Sequence, residues 1–509
     1  MIGSNRYLIY SGWFCIAVLT LLKIYAASTL DLFEDEALYW MWSLNPDPSY
    51  SFITLISIKL STLLFSSDHE FIVRFPALVS NLLIVILLIK ISKELGFGKI
   101  QTIYLILIFL SVPFVTIYTT FISPDTFLLL FTVASYYSWL KLIGDNTTEN
   151  YFYLGLSLGL AVLSKYQGVI IFAALVLIFI LFSSKRSYSI RNLLILIGVF
   201  LLTISPLIIW NILHEPVWLN YYLLTDADKI SGSFLSMFST LFLSQTSILL
   251  PFIFLFLMWI TFLLFTNSFK DMRLSSLKLA YFCTGTFLFL CSISGKIKGN
   301  WFFIIYIPLF FLAPYFYKNK VSKLLFTLAF LFNVFILISL NMSAGYFSFM
   351  SKSPIINYLN SGYTDYWPGS SSEKNVDRSW IERINKMKFW KANVEKIEQE
   401  IKNSGLTYDH IVSDDFNLAP LLRYYFENKP EVFLINDPRF RYINSVEFNP
   451  DLKNKNFIIV SYNDDWKKNI PGKFVSLKEH SLIDLLINDT KFNSVTILRG
   501  EKYKMESNF

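Results

Sequence analysis

The stretch LFEDEALYW, residues 32–40, places three acidic side chains directly after an apolar run that covers residues 7–27. A run of about 20 apolar residues is long enough to cross the hydrocarbon core of a bilayer as a helix. Carboxylates are costly near hydrocarbon. Glu34, Asp35 and Glu36 are therefore either a solvated face just beyond a membrane span or part of a functional site.

The composition indicates an integral membrane protein, because 54% of the 509 residues are hydrophobic and only 16% are charged. Apolar runs recur as far as about residue 343 and then stop. We predict about eleven transmembrane helices, near residues 7–27, 71–91, 101–119, 125–143, 151–163, 168–183, 190–212, 247–266, 277–293, 300–317 and 323–342. The predicted fold is a polytopic α-helical membrane domain at residues 1–343, followed by a soluble α/β domain at residues 344–509.

The C-terminal segment has the pattern of a small α/β domain. Helical patterns at residues 381–401 and 418–426 are interspersed with four strand-like pieces, HIVSD, EVFLIN, NFIIVSY and SVTILRG. The segment contains no glycine-rich phosphate loop and no cluster of His or Cys, so its sequence assigns it no chemistry. We expect it to cover the active site or to help hold an acceptor.

Lysine and arginine are concentrated in alternate short loops, which the positive-inside rule assigns to the cytoplasm. These loops lie at residues 90–99, 185–191, 270–278 and 318–323. The opposite loops hold the acidic stretch 31–70, the SPD turn at 123–125, the SKYQG break at 164–168 and the sequence SGKIKGNW at 294–301. We expect these loops and the C-terminal segment on the outer face, and the net charge of +7 therefore indicates membrane orientation and no nucleic-acid partner.

Lys165 lies in a break between two half-length apolar segments, at residues 151–164 and 169–182. A lysine close to membrane depth costs about 2.5 to 3.5 kcal/mol on insertion scales, so it needs an anionic partner. The alternative is a tight interfacial turn whose lysine extends to water. The sequence leaves a similar choice open for Lys298, Asn300 and Trp301, which belong either to an interfacial loop or to the site.

Five motifs in fixed order carry a family resemblance. They are the acid pair with Tyr39 and Trp40, DHEFIVRFPAL at 68–78, SPDTFLLLF at 123–131, GLSLGLAVLSKYQGV at 155–169 and GNWFFIIYIP at 299–308. Over residues 7–320 the chain resembles membrane glycosyltransferases that use polyprenyl-phosphate sugars. It is similar to the superfamily of aminoarabinose lipid A transferases and dolichyl-phosphate-mannose protein mannosyltransferases, and the resemblance implies a GT-C fold.

The resemblance also implies roles for individual residues. The acid pair falls on Asp35 and Glu36, with Asp35 in the position of the catalytic base, and Lys165 falls on a ligand of the donor phosphate. Other candidates for the donor phosphate are Lys298, Arg74 and Tyr39, and further candidates for the cavity are Glu70, Asp125, Asn300 and Trp301.

One segment departs from the family pattern. Many bacterial relatives carry a YDHPPL-like stretch where this chain reads PSYSFITL at residues 48–55. The His and Asp of that stretch are missing, which puts in doubt any metal or acceptor contact there. The sequence indicates no cofactor, and it leaves a divalent metal open without indicating one. The resemblance implies a bacterial inner membrane with the active site on the periplasmic side.

The residues themselves suit sugar transfer from a lipid phosphate. A phosphate leaves as an anion, so the reaction needs fixed cations such as Lys165 and Lys298. An acceptor hydroxyl gains from a carboxylate base, for which Asp35 is the candidate. One base and one phosphate site predict inversion by single displacement, while double displacement would need a carboxylate nucleophile, which Glu36 or Glu70 could supply.

Acceptor and alternative function stay open at the level of sequence. The acceptor could be lipid A, another glycolipid or a protein. A transporter or flippase of lipid-linked sugars would also need outward charges and a broken helix, but transporters usually show paired interruptions in two related halves. The clearest interruption here is at Lys165, which favours the transferase.

The predicted orientation can be tested with reporter fusions at Asn45, at Lys320 and at the C-terminus. We expect the Asn45 and C-terminal fusions to report the non-cytoplasmic side and the Lys320 fusion to report the cytoplasm. Cytoplasmic activity of a reporter at the C-terminus would contradict the orientation and the grouping of the acids with the C-terminal domain.

Overall fold

The computed structural model describes most of the chain. The described residues are 2–182, 189–214, 216, 251–293, 299–341, 386–435, 445–446, 449–462, 466–470, 472–487 and 490–504, with a few single residues between 242 and 249. The predicted domain boundary at 343–344 and the predicted site residue Lys298 lie outside the described residues.

The described part of the first 341 residues is helical. Its α-helices are α1 Ile2–Thr29, α2 Glu34–Ser43, α3 Phe52–Phe65, α4 Glu70–Glu94, α5 Lys99–Leu110, α6 Pro113–Tyr118, α7 Pro124–Gly144, α8 Thr148–Ser164, α9 Gly168–Phe182, α10 Ile190–Leu213, α11 Pro251–Thr266, α12 Met272–Ile293, α13 Phe303–Leu312 and α14 Lys320–Asn341. Short 3-10 helices, Gly299–Phe302 and Ala313–Phe316, flank α13.

The helices confirm a polytopic α-helical membrane protein. Four of the described helices are long and apolar enough to cross a membrane by themselves, at Arg6–Thr29, Glu70–Glu94, Pro124–Gly144 and Ile190–Leu213. Shorter apolar helices fill many of the other predicted runs, among them Gly168–Phe182 and Pro251–Thr266. These helix lengths do not establish the predicted number of about eleven crossings.

Two features of the helical part differ from the predicted runs. The run predicted at 101–119 is broken between α5 and α6, because Pro113 lacks an N–H and forces Val112 into an extended conformation (φ −80°, ψ 125°). The acidic stretch 31–70 folds into α2 and α3, which pack against each other. α2 has only 10 residues and begins with three acids, so it carries no signal of a membrane span.

The break at Lys165 is a tight turn between α8 and α9. The amide of Gly168 donates to the carbonyl oxygen of Lys165 over 2.9 Å. A Cβ at position 168 would lie 2.5 Å from the backbone of Ala161 and Val162, so only glycine allows α9 to start this close to α8. The turn therefore holds the Lys165 backbone at a helix–helix contact.

The C-terminal part is an α/β unit with a five-stranded sheet in the order β2-β1-β3-β5-β4. The strands are β1 His410–Ser413, β2 Val432–Leu434, β3 Phe457–Tyr462, β4 Phe474–Ile487 and β5 Thr490–Tyr503, and the longer helices are α15 Trp390–Asn403 and α16 Leu418–Tyr425. β1, β2 and β3 are parallel, whereas β5 pairs antiparallel with β3 and β4. The sequence prediction missed β4, because its charged stretch Lys478-Glu479-His480 interrupts the apolar alternation at the sheet edge.

Candidate functional site

A buried ion pair between α2 and α4 is the centre of the candidate site. Arg74 Nη2 lies 2.6 Å from Glu36 Oε2, and Arg74 Nε lies 3.0 Å from Glu36 Oε1. Both side chains are almost completely excluded from solvent, at 0% and 2% exposure. Two parallel N–H···O contacts of this kind are the strong, geometrically specific form of an arginine–carboxylate pair.

The remaining donors of Arg74 bind backbone carbonyl groups at the end of α1. Nη1 donates to the carbonyl oxygens of Ala27 and Leu30, at 3.1 and 2.6 Å, and Nη2 donates to that of Asp31 at 2.6 Å. The guanidinium also lies 4.9 Å from the centre of the Phe121 ring. All five N–H groups of Arg74 therefore have acceptors within the protein.

Glu36 in turn fixes the start of α2 and the approach to α7. Its carboxylate accepts hydrogen bonds from the amide of Phe33 at 3.0 Å and from the amide of Ile122 at 2.9 Å. The preceding residue, Asp35, is exposed. The structure therefore divides the acid pair: Glu36 is buried, and Asp35 is an exposed residue in the first turn of α2.

A second buried ion pair joins α7 to the break after α8. Lys165 Nζ contacts both carboxylate oxygens of Asp125, at 2.9 and 2.8 Å, and both side chains are less than 10% exposed. Asp125 is in the first turn of α7 and follows Pro124, a residue that favours the start of a helix. Lys165 therefore has the anionic partner that a buried lysine requires.

A small pocket, with room for about one water molecule, adjoins this second pair. It is lined by Asp125 and Gln167 and by apolar residues of α6, α7 and the region around α13, including Trp301. The turn beside the cavity is tied to the PSYSFITL segment, because Tyr166 Oη donates to the Ser49 carbonyl and the Tyr166 ring packs near that of Tyr50. The segment that departs from the family pattern thus contacts the lysine turn.

The C-terminal unit contacts the same region through α15 and α16. The amide of Leu32 donates to Tyr425 Oη at 2.6 Å, and the amide of Lys391 donates to the Asp31 carboxylate at 2.9 Å. The backbone just before the acid pair is therefore held by Arg74 on one side and by the C-terminal unit on the other.

A cluster around Asp68 adds a further contact of the C-terminal unit. Trp40 Nε1 donates to Asp68 at 3.2 Å, and Lys429 lies 3.0 Å from the other carboxylate oxygen. The Lys429 ammonium also lies 4.9 Å from the Trp40 ring and 4.7 Å from that of Tyr424. Tyr424 Oη donates to the Asp68 carbonyl oxygen. Their contacts were not predicted from the sequence, because these residues are far apart in the chain.

Two carboxyl groups at this contact have raised pKa values. Burial raises the pKa of Asp31 to about 6, although the Lys391 amide opposes the shift. Burial raises the pKa of Asp415 to about 7, against the amides of Leu418 and Asn417, and the negative charge of Glu34 adds to the increase. Burial therefore favours the neutral, protonated form of both carboxyl groups.

A buried lysine in α1 was also missed by the sequence analysis. Lys23 is 1% exposed, and its ammonium donates to Asn81 Oδ1 at 2.9 Å and to Thr119 Oγ1 at 2.7 Å. It holds the segment that leads to Ile122. A lysine within a membrane span was the available signal, since such residues are rare there.

The other predicted residues are more dispersed. Tyr39 is partly buried, edge-on to Trp42 with 5.9 Å between the rings. Glu70 begins α4, and its Oε2 atom lies 3.6 Å from His69 Nδ1. For Asn300 the structure describes only the backbone, in Gly299–Phe302. Among the described residues, no three His, Cys, Asp or Glu side chains are grouped to hold a metal ion.

Known proteins are similar to parts of this sequence and to its fold. The dolichyl-phosphate-mannose-protein mannosyltransferase family matches residues 51–210, from just before α3 into α10. Lipid A galacturonosyltransferase RgtD of Rhizobium johnstonii is 26% identical over 188 residues, which are 36% of this chain and 39% of that protein. The match thus spans less than half of the curated relative's length.

Two solved structures of ArnT from Cupriavidus metallidurans have the same overall architecture. The apo structure gives a TM-score of 0.59 at 13% identity, and the structure bound to undecaprenyl phosphate gives 0.59 at 14% identity. Each comparison covers 96% of this chain and 98% of ArnT. The chain has the fold of ArnT. Identities this low show the fold alone and carry no information on the substrate.

The Arg74–Glu36 pair of this GT-C-fold protein should dominate its stability. Removing one partner of a buried pair typically costs about 3 to 5 kcal/mol, because it leaves the other charge unpaired. We expect Arg74→Met to lower the free energy of unfolding by about this amount, measured by thermal unfolding in detergent. Lys402→Met, at an exposed pair with Glu427, is the control and should leave the midpoint unchanged. A wild-type midpoint for Arg74→Met would contradict the central role of the pair.

Asp415 should make stability depend on pH. Because its pKa is raised from 3.8 to about 7 in the folded protein, the folded state binds a proton that the unfolded state has released, and stability falls as pH rises between these values. Asp415→Asn keeps the acceptor for the two amides and removes the charge. We expect the melting temperature of the wild type to fall relative to Asp415→Asn between pH 5 and pH 7.5.

The exposed Asp451 offers a matched control in the same domain. Asp451→Asn should follow the wild type across the same pH range. A constant difference between wild type and Asp415→Asn at all pH values would show that Asp415 does not titrate in this window.

Proposed function

We propose that the chain transfers a sugar from a polyprenyl-phosphate-linked donor to an acceptor hydroxyl or phosphate at the outer face of the membrane. The observation that carries this proposal is the division of the acid pair. Glu36 is fully engaged by Arg74 and two backbone amides, while Asp35 is exposed on a turn that these contacts make rigid. A base must be accessible and held in place, and Asp35 meets both conditions.

Asp35 acts as the general base of a single displacement. The acceptor oxygen attacks the anomeric carbon and forms the new C–O bond, and its proton passes to the Asp35 carboxylate. The bond from the anomeric carbon to the phosphate oxygen breaks, and its electron pair leaves with the polyprenyl phosphate. One attack on one carbon inverts its configuration.

Lys165 stabilises the departing phosphate. Its ammonium has three N–H groups, and Asp125 accepts at 2.9 and 2.8 Å, which leaves donor capacity for a phosphate oxygen. A fixed cation in a water-poor site is worth more to a developing anion than the same cation in water. Lys298, which lies outside the described residues, is a second candidate for this role.

In this proposal Arg74 is a positioning residue, although the family resemblance also made it a candidate ligand of the donor phosphate. Its five N–H groups all have protein acceptors, so phosphate binding would require breaking contacts to Glu36 or to the end of α1. It holds the α2 backbone on which Asp35 stands. Tyr39, Glu70 and Asn300 stay candidates for contacts with donor or acceptor.

The acceptor is lipid A, another glycolipid or a protein. The protein lies in a bacterial inner membrane, with the site on the periplasmic side. Similarity to the protein named lipid A galacturonosyltransferase favours a lipid A acceptor. Mass spectrometry of lipid A and of glycoproteins from cells with and without the gene identifies the acceptor. A gene-dependent sugar on one of these classes is the expected result, and unchanged glycolipids and glycoproteins would contradict a transferase.

Substitutions separate the base from the phosphate ligand. Asp35→Asn keeps size and shape, so donor affinity should stay near the wild-type value while single-turnover transfer falls by about 10²- to 10⁴-fold. Lys165→Met should both weaken donor binding and slow transfer, because one charge serves the bound phosphate and the leaving anion. If Asp35→Asn transfers the sugar at the wild-type rate, Asp35 is not the base and Glu36 or Glu70 becomes the candidate.

Glu34 provides the matched control for Asp35. It is the neighbouring acid in the same turn of α2 and is partly buried. Glu34→Gln removes the same charge from the region without removing the base. We expect it to retain most of the transfer rate, so that an equal loss in both variants would indicate an effect of local charge rather than of a base.

A further inference from the structure

Lys23 in α1 is a buried cation that the proposed mechanism does not use. Its side chain is 1% exposed, so it does not extend to water. Its ammonium donates to Asn81 Oδ1 at 2.9 Å and to Thr119 Oγ1 at 2.7 Å, and both acceptors are neutral. The buried Lys165, by contrast, has a carboxylate partner. A lysine inside a span costs more than two such hydrogen bonds typically return, so stability alone does not account for Lys23.

Lys23 lies close to the Arg74–Glu36 pair, in the contact between α1 and α4. On α1 it is four residues before Ala27, whose carbonyl oxygen accepts from Arg74. On α4 its partner Asn81 is seven residues after Arg74. Residues four and seven apart lie on one face of a helix. Lys23 and Arg74 therefore occupy successive levels of the same helix–helix contact.

The connector from α6 to α7, residues 119–123, begins at the Lys23 contact. Thr119 Oγ1 accepts from Lys23 and donates to the Val115 carbonyl oxygen at 2.6 Å. This hydroxyl group thus joins α6 to α1. All residues of the connector except the last are buried. The start of the connector is therefore fixed by a side chain of α1.

The same connector leads to both halves of the proposed site. The amide of Ile122 donates to Glu36, in the turn of α2 that holds Asp35. Asp125, the carboxylate partner of Lys165, follows the connector in the first turn of α7. A shift of the connector would therefore change the spacing between the proposed base and the proposed phosphate ligand.

We propose that Lys23 is a positioning residue of the transfer reaction, which sets the spacing between Asp35 and Lys165 through the connector 119–123. The assignment rests on the proposed function and deepens it with a residue that acts through others. In a single displacement the base and the phosphate ligand act on opposite sides of one carbon. A misplacement of about 1 Å in such an arrangement costs about 10²-fold in rate.

The test is single-turnover transfer by the full chain in nanodiscs, with the protein in saturating excess over the donor. The donors are polyprenyl phosphates carrying mannose, galacturonic acid or aminoarabinose, and bacterial membrane extract supplies the acceptor. At saturation the rate constant does not depend on the fraction of molecules that are folded. A merely structural role of Lys23 would therefore leave this rate constant unchanged.

Lys23→Met keeps the length of the side chain and removes its donors. It also makes α1 more apolar, so the helix should insert at least as well as in the wild type. We expect the saturating rate constant to fall by about 10- to 10²-fold. The affinity for sugarless polyprenyl phosphate should stay near the wild-type value, because the Asp125–Lys165 pair is retained.

Substitutions of Thr119 test the same contact from its other side. Thr119→Val removes the acceptor and should lower the rate constant as much as Lys23→Met, whereas Thr119→Ser keeps the hydroxyl group and should retain the wild-type rate. The double variant Lys23→Met/Thr119→Val should fall no further, because both changes break one contact.

Thr120→Val is the matched control. Thr120 is as buried as Thr119, but its hydroxyl group donates to the Thr116 carbonyl oxygen of the adjoining α6 and does not contact Lys23. This variant should transfer the sugar at the wild-type rate.

An unchanged saturating rate constant in Lys23→Met, or an equal loss in Thr120→Val, would overturn the positioning role and leave the transfer function standing. If Lys23→Met does not fold, the two Thr119 variants decide: a loss confined to Thr119→Val supports the role, and equal rates overturn it. Absence of transfer by the wild type with every donor would instead overturn the proposed function, and the role of Lys23 with it.

Discussion

The buried Arg74–Glu36 pair is the constraint on which the rest of the site depends. Placing two charges out of water is costly, and only excellent geometry with further hydrogen bonds compensates. Here the guanidinium has five protein acceptors, and the carboxylate accepts two amides besides. The pair thereby joins the end of α1, the start of α2, the start of α4 and the approach to α7 in one arrangement.

The second pair, Asp125–Lys165, is connected to the first through a short piece of chain. Glu36 binds the amide of Ile122, three residues before Asp125, and Lys23 holds Thr119 just upstream. Displacing Glu36 would therefore also displace the carboxylate that neutralises Lys165. The C-terminal unit completes the arrangement, because Tyr425 and Lys391 bind the backbone and side chain immediately before the acids. Asp35, the proposed base, and Lys165, the proposed phosphate ligand, are thus held by connected contacts.

The fold was largely predictable because apolar runs and alternating strand patterns are local signals. Polytopic helices and most strands of the C-terminal sheet follow from them. α2 was missed because a 10-residue helix that begins with three acids carries no span signal, and α3 because its 14 residues are too few for a span. β4 was missed because charged residues interrupt its pattern. The partners of Lys165 and Glu36 could not be paired from sequence, since 40 and 38 residues separate them from Asp125 and Arg74. Lys23 could have been found from its position in a predicted span, but its partners Asn81 and Thr119 could not be identified from the sequence.

Transfer of a sugar and movement of an intact lipid-linked sugar differ in one product, free polyprenyl phosphate. The most direct measurement follows this product by mass spectrometry after the purified chain, in proteoliposomes with a lipid-phosphate sugar, is mixed with bacterial membrane extract as acceptor. We expect free polyprenyl phosphate and sugar-modified acceptor to appear in equal amounts with wild-type protein, and neither to form at a comparable rate with Asp35→Asn. Passage of the intact lipid-linked sugar between leaflets, with no polyprenyl phosphate released, would contradict a transferase.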